Sequence, residues 1–491
     1  MAYQLAGFPF LTTLLLCCVA GLLAILCIPA RHARAIKIVS AVFSGFTLIV
    51  SIYLFIAYDQ QAGGFQFVER VAWIPALGIA YFNGVDGFAL PMLLLTGIVF
   101  FTAVLTMWEL ELRVKEFFSL IFLLVTGVFG LFMSLDLFFI FVWFDVSLFP
   151  MYLLIAIWGS TRKEYGAMKL TLYLLAGSAL ILPAIIYLVV HSGSMTFDLL
   201  ALMEGTRFTP AQQRIAFFML YIGFGILAGV FPFHTWSPVG HVAAPTAVSM
   251  IHAGVLMKIG AFGILRVGIF LCPDGWQFWA PLMAVLATCG IVYGVFVGLS
   301  QTDLKYVIGY SSVSHMGIVG LGLSTMTIDG LNGAVFQMFA HGIMTALFFS
   351  SVGHIYDRTH TKAIAELGGL SRVMPRASSF FIIAALTGIG VPCLASFWGE
   401  LAVFMSCVSV YPVAGALAIG ALAVGALFML RVVQKTCYGP PLEKFAGLKD
   451  ITAALAVPRV ILVSVIVLFG LFPGVLFDMI HTATMHLIGL R

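Results

Sequence analysis

The sequence has few charged residues. Only 44 of its 491 positions are charged (24 basic and 20 acidic), or 9%, while 62% are hydrophobic. Soluble domains are about 25% charged and about 45–50% apolar. The shortage of charge therefore excludes a soluble globular protein, and the excess of apolar residues excludes a disordered one. Because a spanning helix needs about 20 apolar residues, the composition predicts an all-α polytopic membrane protein.

Motifs for cofactors are also missing. The eight cysteines are scattered, and no CxxC or Cys/His spacing typical of an iron–sulfur or zinc site appears. No glycine-rich phosphate loop follows a strand, so no nucleotide site is expected. A net charge of +4 is too small to indicate a nucleic-acid partner. Any redox chemistry associated with this chain is therefore expected on another chain.

The apolar runs predict fourteen transmembrane helices. The first run, Phe8–Pro29, is long enough to span and is followed by basic residues, so it is interpreted as a helix rather than a cleaved targeting peptide. An even number of spans places both termini on one side. The fourteen helices are expected to start near Phe8, Ile36, Gly87, Glu116, Leu137, Gly166, Arg214, Ala243, Phe278, Leu304, Leu331, Ser378, Pro412 and Pro458.

Basic residues are distributed unequally between the two sides. The segments that follow odd-numbered helices hold 18 of the 24 Lys and Arg residues, the other side holds five, and Lys258 lies within a helix. Because Lys and Arg are retained on the cytoplasmic side, this basic side is predicted to be cytoplasmic and both termini to lie on the outer face.

Two helices are interrupted in a similar manner. The seventh reads GFGILAGVFPFHTW around Pro232, and the twelfth reads ALTGIGVPCLASFWGE around Pro392. Broken helices in corresponding positions of two halves indicate a transport site, although two ordinary proline kinks are the alternative. Their separation of five helices predicts inverted repeats. The expected division is three N-terminal helices (1–115), a first five-helix repeat (116–270), a second (271–435), and a C-terminal loop with the last helix (436–491).

Ionisable residues occur deep in otherwise apolar helices. They are Asp145, Lys258, His315, His341 and, after the broken twelfth helix, Glu400. A charge at the bilayer centre costs at least about 2.5–3.5 kcal/mol, so such groups are expected to face the bundle interior and to serve ion or proton traffic. Buried lysines, carboxylates and histidines can all exchange protons near neutrality. The alternative for any one of them is a structural ion pair or a hydrogen-bonded core histidine.

Other ionisable residues are weaker candidates. His234 and His241 flank the loop after the seventh helix and, with Lys305, are candidates for a half-channel on the basic side. His252 lies six residues before Lys258 and is a better candidate for the relay. No metal site is predicted.

Several long motifs resemble the antiporter-like subunits of respiratory complex I, the proton-translocating NADH–quinone oxidoreductase. NGVDGFALPMLLLT resembles the M subunit in particular, the counterpart of mitochondrial NADH dehydrogenase subunit 4. The resemblance covers about residues 83–401. Its other motifs are the stretch from Phe149-Pro150-Met151-Tyr152 to Tyr173, PFHTWSPVGHVAAPTAVS, QTDLKYVIGYSSVSHMG and QMFAHGIMTALFF.

The resemblance implies fourteen helices, inverted five-helix repeats and a proton path along the membrane midplane. It implies that Lys258, His315 and His341 are relay residues and that Glu400 ends the path at an exit half-channel. NADH, FMN, iron–sulfur clusters and quinone would be bound by partner subunits, and homologous antiporter-like subunits would be neighbours. The bacterial inner membrane is the expected location.

Two positions depart from the pattern of the family. The fifth-helix acid is usually Glu and is Asp145 here. The seventh-helix lysine belongs five residues before the helix-breaking proline, where this chain has Leu227. The usual carboxylate–lysine pair has thus lost its cation, and our hypothesis is that His252 supplies the missing protonatable group.

Three other functions remain open at this point. One is a subunit of a multi-subunit sodium/proton antiporter, and a second is the membrane arm of a related hydrogenase, ferredoxin or carbon-dioxide-uptake complex. The third is an inert scaffold, which only Leu227 favours.

Overall fold

The computed structural model describes residues 6–205 and 208–489, and it is mostly helical. A two-stranded sheet consists of β1 (Gln66–Ile74) and β2 (Ile79–Val85). The helices in chain order are α1 (Phe10–Cys27), α2 (Ala33–Ala57), α3 (Ala89–Thr106), α4 (Val114–Met133), α5 (Leu137–Trp158), α6 (Lys163–His191), α7 (Leu199–Gly205), α8 (Pro210–Ala228), α9 (Trp236–Ala243), α10 (Thr246–Ile269), α11 (Pro273–Leu299), α12 (Leu304–Ser324), α13 (Ile328–Thr359), α14 (Leu370–Val373), α15 (Pro375–Gly388), α16 (Ala395–Val410), α17 (Pro412–Cys437), α18 (Ala453–Leu471) and α19 (Gly474–Gly489).

The predicted all-helical polytopic fold is confirmed. In the described ranges, 13 helices are long and apolar enough to cross a membrane, one fewer than predicted. The predicted twelfth span is instead divided into two shorter helices, α15 with 14 residues and α16 with 16 residues. The chain is therefore an all-α polytopic membrane protein. The extreme termini, residues 1–5 and 490–491, lie outside the described residues.

Both predicted helix breaks are present. The α8 helix ends where Gly229 adopts a φ of 73°, and α9 begins after Pro232. The α15 helix ends before Gly390, whose φ is 75°, and α16 begins after Pro392. Glycine adopts a positive φ without the steric cost that other residues meet, while proline removes a backbone donor, so each pair ends one half-helix and starts another.

The same local device occurs five crossings apart. Asp136 caps α5 and Asp303 caps α12, each by accepting hydrogen bonds from the backbone N–H groups two and three residues later. Each aspartate also lies in an isolated antiparallel bridge, Asp136 with Asp198 and Asp303 with Ala363. An odd number of crossings puts the two bridges on opposite sides of the bundle, as inverted repeats require. The exact repeat boundaries stay a prediction.

The C-terminal region differs from the expectation of a single last helix from near Pro458. The span begins earlier, because Thr452 caps α18 by accepting a hydrogen bond from the N–H of Leu455. After Pro473 the chain forms a further helix, α19. Pro473 has no backbone N–H with which to extend the hydrogen bonding of α18, and it lies between these two elements.

A β-hairpin between α2 and α3 was not predicted. Its strands pair antiparallel, and the buried Glu69 carboxylate accepts hydrogen bonds from the backbone N–H groups of Leu11 at 2.7 Å and Thr12 at 3.0 Å. Glu69 thereby satisfies free donors at the start of α1. The search for long apolar runs does not detect this hairpin, because its strands are short and partly polar.

Lys258 and His341 lie on the two innermost helices. The central windows of α10 and α13 are wholly buried, whereas about a third or less of the window is buried in α1, α2 and α17. Side chains on α10 and α13 are therefore separated from both water and lipid by the surrounding helices.

Candidate functional site

Lys258 and His341 meet at the centre of the bundle. Lys258 Nζ on α10 lies 2.7 Å from His341 Nδ1 on α13, and both side chains are fully buried. The helices approach closely at two glycines: a Cβ on Gly342 would lie 2.6 Å from the carbonyl oxygen of Gly254. An ammonium has only donors, so His341 Nδ1 accepts the hydrogen bond when Lys258 is charged.

A π-helical segment, His252–Leu256, shapes the lysine side of this contact. Lys258 donates a second hydrogen bond to the carbonyl oxygen of Ala253, which belongs to that widened turn. Single π turns interrupt α-helices mostly at functional sites. Hydrophobic periodicity contains no signal for such a turn, so the sequence did not predict it.

From His341 the row of buried groups continues to two further helices. The ring centroids of His341 and His315, on α12, are 5.1 Å apart. His315 Nδ1 lies 3.3 Å from Oε1 of Glu400, on α16 just after the second break. These side chains are at most 4% exposed. Lys258, His341, His315 and Glu400 therefore form one row across four helices, as the sequence predicted for its relay candidates.

A second group of buried histidines lies on the other side of Lys258 along α10. The His252 ring is 4.3 Å from the His241 ring and 5.1 Å from the Trp236 ring. Neither ring nitrogen of His241 or His252 has a hydrogen-bond partner among the described residues, although both side chains are fully buried. Leaving a buried polar atom unpaired costs about 1–3 kcal/mol, so two adjacent buried rings with four unpartnered nitrogens are unusual for a packed interior.

Two buried lysines lie beyond His241, at the basic side. Lys305 Nζ donates to the carbonyl oxygen of Ala244 at 2.8 Å, where α9 gives way to α10. Lys362 Nζ donates to Ser160 Oγ at 3.2 Å, and burial lowers the pKa of the Lys362 ammonium. A positive charge is favourable near the carbonyl end of a helix, so Lys305 stabilises the C-terminus of α9. Lys362 was not predicted.

His234 is buried but lies apart from the row. Its ring packs against those of Phe231, at 5.6 Å between centroids, and Tyr293, at 4.8 Å, and neither ring nitrogen has a partner among the described residues. The sequence predicted that His234, His241 and Lys305 line the same half-channel. In the structure only His241 and Lys305 lie next to Ala244.

Asp145 was expected to face the bundle interior, but it does not. Ser178 Oγ donates to its Oδ1 at 3.0 Å, and no described basic side chain forms an ion pair with it. The carboxylate is half-buried and lines a groove of about 380 Å³ on the lateral surface. Leu227 is buried. The residues beside Asp145 in the groove are Leu123, Phe141, Val142, Val146 and Phe149.

A separate ion pair fixes the far end of α10. Arg266 donates to Asp86 through two nitrogens, at 2.8 and 2.5 Å, and both side chains are buried. Asp86 also accepts hydrogen bonds from the N–H groups of Phe88 and Ala89 at the start of α3. This pair joins α10 to α3, and its full satisfaction identifies it as structural.

One buried polar residue next to the row was not predicted. Gln337, one turn before His341 on α13, donates from Nε2 toward both His315 and Glu400. An amide carries no charge, so a search for ionisable residues passed over it. Over the described ranges, no group of three or more His, Cys, Asp or Glu residues could hold a metal ion.

The fold and this geometry define an antiporter-like membrane subunit with a buried row of protonatable groups. A sequence family described as "NADH:quinone oxidoreductase/Mrp antiporter, TM" matches residues 134–425. The chain belongs to this family.

Relatives match over most of the chain. NADH-quinone oxidoreductase subunit M of Rickettsia typhi is 33% identical over 456 residues, covering 92% of each chain. NAD(P)H-quinone oxidoreductase chain 4 2 of Microcystis aeruginosa is 34% identical over 444 residues, covering 88% of this chain and 80% of the relative. A chain of respiratory complex I from Thermus thermophilus has a TM-score of 0.91 at 27% identity, covering 98% of this chain and 99% of that one.

Proposed function

We propose that this chain is a proton-translocating membrane-arm subunit of NADH–quinone oxidoreductase, coupling quinone reduction elsewhere in the complex to proton transport. The observation that carries the proposal is the row of neighbouring groups from Lys258 through His341 and His315 to Glu400. Each member can hold or release a proton, and each lies on a different element from the next. A structural ion pair would need two such groups, whereas this row has four.

The distances define how a proton moves along the row. Lys258 can pass a proton directly to His341 Nδ1 along their hydrogen bond. The step from His341 to His315 spans 5.1 Å between ring centroids and needs either ring motion or one bridging water. His315 then faces the carboxylate of Glu400. Glu400 accepts the proton and, next to the break between α15 and α16, releases it toward the exit.

Protons enter the row from the basic side of the membrane. His241 and His252, with unpartnered ring nitrogens, form the half-channel, and Lys305 lies at its mouth on the carbonyl of Ala244. His234 is a peripheral member of this half-channel.

Asp145 works at the boundary of the subunit. Its carboxylate opens on the lateral groove and lacks the lysine that Leu227 replaces, so a neighbouring membrane-arm subunit covers it in the assembled complex. His252 takes the place of the missing cation within this chain. Trp236, which stacks on His252, donates from its indole to the carbonyl oxygen of Ile226 at 2.9 Å, and that residue precedes Leu227.

The redox groups belong to partner subunits. We place NADH, FMN, the iron–sulfur clusters and the quinone there, since none of the motifs that bind them occurs in this sequence. The complex lies in the bacterial inner membrane, with the basic side cytoplasmic and both termini of this chain on the outer face.

The test is to replace Lys258 in the assembled complex. The complex is purified through a tag on this chain, its subunits are identified by mass spectrometry, and it is reconstituted into liposomes. K258M should abolish most proton uptake per NADH oxidised, while K449M, at an exposed lysine in a loop on the basic side, should leave it unchanged. Normal uptake in K258M would overturn the relay. Recovery of only small hydrophobic antiporter chains, without flavin or iron–sulfur subunits, would overturn the redox assignment.

A further inference from the structure

A polar pocket lies on the basic side of the bundle, between the ends of α11 and α17. Its volume is about 270 Å³, and it is lined by the last turn of α11, the segment that leads into α12, the chain at Ile364 and the last three turns of α17. Arg431 and Lys435, one turn apart on α17, are among its lining residues. None of the lining residues belongs to the row, so a role for this pocket does not depend on the proposed proton path.

The floor of the pocket is apolar. Gly298, near the end of α11, lets the Phe428 ring pack closely, because a Cβ on this glycine would lie 3.3 Å from Cζ of Phe428. Phe428 and Val432 are both buried. Nearer the membrane centre on the same two helices, Phe296 and Leu427 are 54% and 70% exposed. Both residues lie within membrane-spanning helices, so these exposed side chains face hydrocarbon.

The two basic residues of the pocket lack a counterion. Among the described residues, no acidic side chain forms an ion pair with Arg431 or Lys435. The acidic residues nearest the pocket along the chain have other partners: Asp303 accepts hydrogen bonds from the backbone at the start of α12, and Glu366 accepts one from the Thr361 hydroxyl. The positive charge of the pocket is therefore not balanced within it.

Carbonyl groups at the end of α11 are already paired with other donors. The oxygen of Val297 accepts hydrogen bonds from the Ser300 N–H at 3.1 Å and from Gln301 Nε2 at 3.0 Å, and the oxygen of Gly298 accepts one from the Gln301 N–H at 3.2 Å. A favourable interaction with the carbonyl end of its own helix explains Lys435, which lies in the last turn of α17. It does not explain Arg431, one turn farther into the membrane.

We propose that this pocket binds an anionic phospholipid from the leaflet on the basic side, with Arg431 and Lys435 holding its phosphate and an acyl chain lying over Phe296 and Leu427. Basic pockets between spanning helices at the membrane surface bind anionic lipid headgroups. The guanidinium presents parallel donors to two phosphate oxygens, and the ammonium adds a second positive charge. The exposed apolar side chains next to the pocket favour a lipid over free phosphate, which has no hydrocarbon to place there.

The test uses a phosphatidylglycerol with a photoreactive diazirine in one acyl chain. It is added to liposomes that contain the assembled complex, and the residues labelled on irradiation are identified by mass spectrometry. The variant R431Q with K435Q removes both charges of the pocket. The matched control, K444Q with K449Q, removes two exposed lysine charges from the same side outside the pocket. Phosphatidylcholine with the same diazirine chain, whose headgroup has no net charge, is the control lipid.

We expect phosphatidylglycerol to label the segments around Phe296 and Leu427, and this labelling to fall about tenfold or more in R431Q with K435Q, because each basic residue at the membrane surface adds to the attraction for anionic lipid. Labelling should be unchanged in K444Q with K449Q and retained in R431K with K435R. Phosphatidylcholine should label these segments no more than phosphatidylglycerol labels them in the doubly neutralised variant.

Three outcomes would contradict the proposal. Unchanged labelling in R431Q with K435Q would show that the two charges hold no lipid. Equal labelling of the unaltered chain by the two lipids would show the same, and this comparison does not depend on whether the variant assembles. Loss of the labelling on addition of inorganic phosphate would show that the pocket takes the free anion, which would overturn the lipid as its occupant.

Discussion

The carboxylate of Glu400 lies against Gly390, in the break between α15 and α16, on the side where any other residue would carry its Cβ. A Cβ on Gly390 would overlap Oε2 of Glu400, and the φ of Gly390 is 75°. The interrupted helix therefore does more than turn the chain: it leaves room for the last protonatable group of the row. Its glycine is required both for the backbone conformation and for the space.

Replacing Gly390 tests this relationship. G390A should displace the Glu400 carboxylate from His315 and lower proton uptake per NADH by about tenfold or more, a loss of roughly 1.4 kcal/mol or more. The measurement is NADH-driven acidification of liposomes that contain the assembled complex. The control is G420A on α17, because nothing lies within 4 Å of a Cβ there. Equal pumping by the two variants would show that the carboxylate does not need its place against Gly390.

His341 is expected to be indispensable for proton transfer from Lys258. H341L removes the acceptor at 2.7 Å and leaves Lys258 Nζ only the carbonyl oxygen of Ala253. Losing a hydrogen bond to a charged group costs about 1.5–3 kcal/mol, and the row loses the group that takes the proton from Lys258, so the row should stop conducting. We expect pumping to be lost while much NADH oxidation remains. A double variant, H341L with K258M, should be no worse than either single variant, and additive losses would contradict the pairing.

Replacing His252 tests whether this histidine supplies the protonatable group that is missing at Leu227. H252L should lower pumping strongly, because no other protonatable side chain in the described part of the chain stacks between Trp236 and His241. The matched control is H354L: His354 is also buried, on α13, and also has an unpartnered ring nitrogen, but it lies outside the row. Unaffected pumping in H252L would refute the hypothesis that His252 replaces the missing cation.

The sequence predicted the apolar spans and the two breaks, because a long apolar run and a Gly–Pro break are local signals. That Lys258, His315, His341 and Glu400 act together was expected from the resemblance to the family and stays a prediction. The sequence failed where the answer depends on how one helix is rotated against its neighbours. Asp145 was expected to face inward, yet its helix is rotated so that the carboxylate reaches the lateral groove. Gln337 was missed because an amide gives no signal of charge.

The Arg266–Asp86 pair is expected to govern stability rather than pumping. R266M leaves Asp86 buried and uncompensated and should destabilise the chain by about 3–5 kcal/mol. The double variant R266M with D86N should recover most of that loss, since it removes the stranded charge. Thermal unfolding of the purified chain in detergent measures both effects. If the double variant is as unstable as the two single losses added together, the two residues do not act as a pair.

Asp136, just outside α5, gives a prediction for pH. It is fully buried, and burial raises its pKa to about 6 from an ordinary value near 3.8, against the opposing effect of three backbone N–H donors. A carboxyl group whose pKa is raised in the folded state stabilises the fold most at low pH, and this contribution is lost as pH rises through about 6. This change in the pKa of Asp136 corresponds to roughly 3 kcal/mol in the free energy of unfolding.

The stability of D136N relative to the unaltered chain should therefore increase between about pH 4 and 6 and then remain level, as followed by thermal unfolding at each pH. D59N, at an exposed aspartate, should show no such change. A constant difference for D136N across this range would mean that Asp136 titrates as an ordinary carboxylate.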